Sequence, residues 1–219
     1  MKPESFRMTP AQYLFTIACF IQSSALLTSF LVSITAQDSW IAPITGYLAC
    51  VPFVLVYAAL MKRFPGKNLI EINQIVFGKG FGLAISILYL WFFLTLTGLN
   101  LTDLANFVRS SMLPNTPGMV IFVIFMLLCS WGVRYGLSCV VRYSVAFSVT
   151  AILITAASIL FTASHMQIEK FLPLFQQPVI TYVNATHVVA TIPFGETVVF
   201  LMLAPNVKLP VKKMGKYFL

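Results

Sequence analysis

Apolar runs of membrane-crossing length recur along this chain, with short basic turns between them. A helix needs about 20 apolar residues to span a bilayer core. In lipid, only helices and closed barrels satisfy their own backbone groups. The runs read as helices at residues 10–35, 40–61, 81–108, 119–133, 140–162 and 182–205. Of the 219 residues, 59% are hydrophobic and only 9% charged, whereas soluble domains carry about 25% charged residues. The sequence therefore predicts an all-α, polytopic chain forming a single membrane domain over residues 1–219.

The charge pattern predicts how the chain is threaded. Its net charge is +8, but the basic residues do not cluster with aromatics on one soluble face, so no nucleic-acid partner is expected. They fall in turns, as the positive-inside rule describes. With the N-terminus inside and six crossings, Lys2, Arg7, Lys62, Arg63, Lys67, Lys79, Arg134, Arg142, Lys208, Lys212, Lys213 and Lys216 lie inside. Only Arg109 and Lys170 lie outside. Residues 68–77 pattern as a short amphipathic helix on the inner leaflet, and the bilayer is the first partner. The first run is too long for a signal-peptide core and is expected to be a retained span. Thr9 followed by Pro10 predicts its start. Pro43 and Pro52 are expected to bend the second span. Residues 165–181 read as a loop, partly re-entrant or interfacial.

The sixth run holds Ile192-Pro193-Phe194-Gly195-Glu196 at its centre. Proline removes a backbone donor and crowds the preceding turn. Glycine permits non-helical geometry, and a carboxylate at membrane depth is costly. The first run has its own polar interruption, Gln22-Ser23-Ser24. Discontinuous helices in corresponding positions point to a transporter-type site. Gln22, Ser23, Ser24, Phe194, Gly195 and Glu196 are therefore candidate ligand-binding residues. A plain kink at Pro193 and small-residue packing at Ser23-Ser24 stay open as alternatives. In the third run, Thr97, Asn100, Asp103 and Asn106 recur every three residues on one helix face. Asn100 and Asp103 are expected to line an outer vestibule, with a polar face buried between helices as the alternative.

Nothing in the chain patterns as a catalytic constellation. His165 and His187 stand apart from acidic residues in sequence, and no metal-binding motif, phosphate loop or nucleophile elbow occurs. The four cysteines suggest neither a metal site nor a disulfide framework. No enzyme activity, metal or cofactor is expected.

Several stretches carry a family resemblance: Met8-Thr9-Pro10-Ala11-Gln12, Ala36-Gln37-Asp38-Ser39-Trp40-Ile41, and Lys62-Arg63-Phe64-Pro65-Gly66-Lys67-Asn68-Leu69-Ile70-Glu71. Phe77-Gly78-Lys79, Phe171-Leu172-Pro173-Leu174, Ile192-Pro193-Phe194-Gly195-Glu196 and Phe200-Leu201-Met202-Leu203-Ala204-Pro205 complete the set. In this order the chain resembles the spore germination permease family. These are the GerAB-type B subunits of endospore germinant receptors, within the amino acid–polyamine–organocation superfamily. The resemblance implies a LeuT-like fold of two inverted five-helix repeats, with a small germinant, typically an amino acid, held where helices 1 and 6 unwind. It implies the spore inner membrane, an A-type membrane subunit and a C-type lipoprotein as partners. Against that pattern the chain covers the first repeat and helix 6, so it is expected to be C-terminally truncated. An amino-acid permease of the same fold and a non-functional fragment are the competing readings.

Overall fold

The computed structural model describes residues 6–24 and 27–208. The basic positions Lys2, Lys212, Lys213 and Lys216, used above for orientation, lie outside the described residues.

Helix α1, Pro10–Ser23, starts where a capping box closes its free amides. Thr9 Oγ1 accepts from the Gln12 amide at 3.2 Å, and Gln12 Oε1 accepts from the Thr9 amide at 2.9 Å. It stops at the predicted polar interruption, and α2, Leu27–Thr35, continues at a bend of 52°. A single turn, Ala36–Asp38, leads into α3, Ile41–Arg63, which runs through Pro52 without interruption. Pro43 falls in its first turn, where no intrahelical donor is needed.

Asn68 and Glu71 form a second capping box at the start of α4, Leu69–Ser111. At Gly78, φ 78° and ψ 170° break α4 into two limbs. An L side chain rarely adopts that φ, and glycine adopts it freely. The expected amphipathic helix and third run are these two limbs. Helices α5, Gly118–Arg134, and α6, Leu137–Thr162, follow, joined by a tight turn. Residues 163–178 make an irregular excursion with two short turns, Ala163–His165 and Ile168–Phe171. Helix α7, Val179–Val189, then leads into a distorted segment ending near Asn206.

Among the described residues, four helices are long and apolar enough to cross a membrane, or five if the bent α1–α2 pair is one span. α5 is apolar but shorter, at 17 residues. The protein is therefore an all-helical, multi-pass membrane protein. Residues 179–202 are the most enclosed of the four long segments, 39% buried against 6–22% for the others. The interior clusters all meet this stretch. Val198, Leu201 and Ala204 pack with Met61 and Leu69. Phe200 packs with Met8, Tyr13 and Val141. Ala185 and Val189 pack with Leu31 and Ala42. Helix α1 lies along α6, and α3 along α7, and the last span draws its buried contacts from α1, α2, α3, α4 and α6.

The two ends of the described chain meet. Met8 and Val207 form an isolated parallel bridge. The Met8 amide donates to the Asn206 carbonyl at 2.7 Å, and the Lys208 amide donates to the Met8 carbonyl at 2.8 Å.

Candidate functional site: two interrupted helices around a cavity

The interruption in the last span starts at Ile192, whose φ −123° and ψ 115° are extended. A residue before proline is pushed out of the helical region by the proline ring, and Pro193 follows. The sequence reading gave both Pro193 and Gly195 as grounds for leaving helical geometry. The glycine plays no such part: Gly195 has an ordinary helical φ of −63° and ψ of −31°. The turn is wide over Ala190–Phe194 and tight over Gly195–Met202. Neither pattern keeps the regular i to i−4 ladder: the Ala190 carbonyl accepts from the Gly195 amide, and the Phe200 carbonyl from the Leu203 amide at 3.0 Å.

Side chains from distant helices add a second hydrogen bond to each of these two carbonyls. The Cys50 thiol donates to the Ala190 carbonyl at 3.2 Å. The Tyr13 hydroxyl donates to the Phe200 carbonyl at 2.9 Å, and the two rings meet edge to face at 6.2 Å. Within the segment, Thr197 Oγ1 donates to the Phe194 carbonyl at 2.6 Å. Gly46 allows α3 to approach closely enough for this, since a Cβ there would lie 2.8 Å from Val189 Cγ1. Thr45 and Thr186 hydroxyls share a hydrogen bond of 2.7 Å beside it.

The sequence reading did not single out Tyr13, Cys50 or Gly46. A signal for two of them existed. Ala42, Gly46 and Cys50 repeat every four residues, the small-residue spacing of close membrane-helix packing, and all three are buried.

Beside the interruption lies a cavity of about 1170 Å³. Ser23 and Ser24 from the first break line it, as do Ile192 and Val199 from the last span. The whole polar stripe of α4 faces into it: Thr97, Asn100, Asp103 and Asn106. Phe20, Phe30, Phe93 and Phe107 supply aromatic wall. Of the eight candidate residues, Ser23, Ser24, Asn100 and Asp103 thus share one cavity.

The other four do not line it. Phe194 packs edge to face against Tyr47 at 5.8 Å. Gly195 sits against the Ala190 carbonyl, 3.2 Å from where its Cβ would be. Gln22 keeps Oε1 buried without a hydrogen-bond partner. Glu196 is 6% exposed, with Oε2 likewise unpartnered, and Asp103 lies within its electrostatic reach.

A second polar cluster ties the ends of α2 and α7 together. Asp38, which the sequence reading left as part of a connecting loop, is 1% exposed. Its Oδ2 accepts from the Tyr182 hydroxyl and from the Phe175 amide, the latter at 2.9 Å. Gln37 Nε2 donates to the Pro173 carbonyl at 2.9 Å.

Sequence comparison decides the family. Residues 7–219 match the model of the spore germination protein family. The chain belongs to that family. It is 24% identical to spore germination protein KB of Bacillus subtilis (strain 168), over 97% of this chain and 58% of that protein. It is 23% identical to spore germination protein YndE of the same organism, over 67% of this chain and 42% of the relative. Against spore germination protein B2 the identity is 22%, over 80% of this chain and 48% of the relative. The chain thus spans about half the length of these curated relatives. No solved structure matches it.

Proposed function

We propose that this spore germination family member is a membrane-embedded, transporter-like subunit of a germinant receptor that senses small nutrients such as amino acids. The observation that carries the proposal is the cavity, which touches both interrupted helices at once. A ligand there contacts the two places where the backbone is least constrained by its own helix. It can bias their arrangement by the difference in its affinity for two states.

The proposed threading is six spans with both ends inside, corresponding to the first repeat and helix 6 of a two-times-five inverted-repeat fold. The Met8–Val207 bridge supports it, because adjacent ends require an even number of crossings. The receptor is proposed to sit in the spore inner membrane with an A-type membrane subunit and a C-type lipoprotein.

The test fills the cavity. In spores carrying the receptor with Ser24→Trp, sensitivity to its amino-acid germinant should fall by about tenfold or more, a change of at least ~1.4 kcal/mol in binding. An unchanged dose response with normal receptor levels overturns the assignment. The interrupted helices equally suit an amino-acid permease of the same fold. Uptake of labelled amino acid into vesicles holding the purified protein separates the two readings.

A further inference from the structure

The cavity has a one-sided charge pattern. Asp103 is the single charged side chain among the described residues that line it, and no lysine, arginine or histidine does. Its polar lining otherwise consists of hydroxyls and carboxamides, including Ser23, Thr97 and Asn100. Within electrostatic reach of Asp103, the buried Glu196 adds a second carboxyl with an unpartnered oxygen. Asp103 itself is exposed to the cavity and carries no ion pair among the described residues. The aromatic wall matches this polarity, since ring faces attract cations. Apolar walls hold the local dielectric below that of water, so a fixed charge discriminates more strongly there than on an open surface.

From this we infer that Asp103 is the specificity-determining residue of the cavity, holding the ammonium group of an amine-bearing ligand and excluding ligands whose only charge is negative. The inference rests on the cavity being the ligand site and adds to it the charge class of the ligand and the residue that reads it. A zwitterion fits if its ammonium meets Asp103 and its carboxylate meets backbone amides at an interrupted helix. An anion of the same size loses the first contact and gains a repulsion. The hydroxyls and carboxamides can donate to or accept from either ligand, so they contribute little to the choice.

The test is a ratio measured on the purified full chain in detergent. L-alanine and L-lactate share a methyl group and a carboxylate and differ in ammonium against hydroxyl. L-alaninamide keeps the ammonium and removes the carboxylate charge. L-alanine and L-alaninamide should each bind at least about tenfold more tightly than L-lactate. Asp103→Asn should bring the alanine-to-lactate ratio within about threefold of unity, and Asp103→Glu should keep the preference. Ratios taken within one variant are insensitive to its overall stability. Lactate binding as tightly as alanine, or a ratio unchanged by Asp103→Asn, overturns the inference. If Ser24→Trp still abolishes binding in that case, the cavity stands as the site and only the charge reading falls. Binding that survives Ser24→Trp removes both, and failure of both amine probes to bind a folded chain overturns the inference directly.

Discussion

The two spans that are interrupted at mid-membrane are fastened to each other at both ends, by different means. At the Met8 end the fastening is main-chain and apolar. Amide–carbonyl bonds join Met8 to Asn206 and Lys208, and the Met8 side chain is fully buried among Tyr13, Val141 and Phe200. At the Asp38 end it is polar and rests largely on one carboxylate, which gathers Tyr182 and Phe175. That end also holds Ala36 and Phe175 at positive φ, 50° and 60°, conformations that non-glycine residues keep only where neighbours hold them. A fastening made of apolar burial and backbone bonds is spread over many atoms and is little affected by ionic conditions. One made of a single carboxylate is released whenever that group is lost. The contrast makes the Asp38 end the easier one to open and the Met8 end the fulcrum.

The largest expected effect comes from emptying the fulcrum. Met8→Ala removes a fully buried side chain and should cost about 3 kcal/mol. It is read as a lower midpoint in denaturant unfolding of the detergent-solubilised protein. Residues 163–178 should remain as resistant to protease as before, because their attachment is at the other end.

Asp38→Ala should give the next largest effect, about 2 kcal/mol, since it strands two donors that now meet a carboxylate. Its signature is local. Protease should cut within residues 163–178 before the helices unfold. If Met8→Ala exposes that loop equally, the two ends are one cooperative unit and the contrast between them fails.

How far the sequence foretold these regions depends on the range of the interactions involved. The helix start at Thr9-Pro10 was legible because a capping box is complete within four residues. The stripe of Thr97, Asn100, Asp103 and Asn106 was legible because helical periodicity alone puts it on one face, and it lines the cavity. The interruption was legible from Pro193 itself, but not that the residue before it leaves the helix while Gly195 stays helical. The side-chain partners of the Ala190 and Phe200 carbonyls were not legible. Cys50 and Ala190 are 140 residues apart, and Tyr13 and Phe200 are 187 apart; neither pairing leaves a local pattern. Asp38 read as an ordinary loop residue because its burial is made by a segment more than 130 residues later.

The smallest effect is also the most diagnostic. Tyr13→Phe keeps the ring against Phe200 and removes only the hydroxyl that the Phe200 carbonyl accepts. It should cost about 1 kcal/mol, the net worth of one hydrogen bond, because the Phe200 carbonyl keeps its bond from the Leu203 amide at 3.0 Å. Combined with Met8→Ala, it should cost less than the sum of the two, because both residues pack on Phe200 and loss of one loosens the seat of the other. Combined with Asp38→Ala, it should be additive, because the two groups share no neighbour and act at opposite ends of the span. Coupling with Met8 but not with Asp38 is what two separate fastenings require. Equal coupling with both would mean that the interruption between them transmits strain along the whole span, and the Met8 end could no longer be treated as a fixed fulcrum.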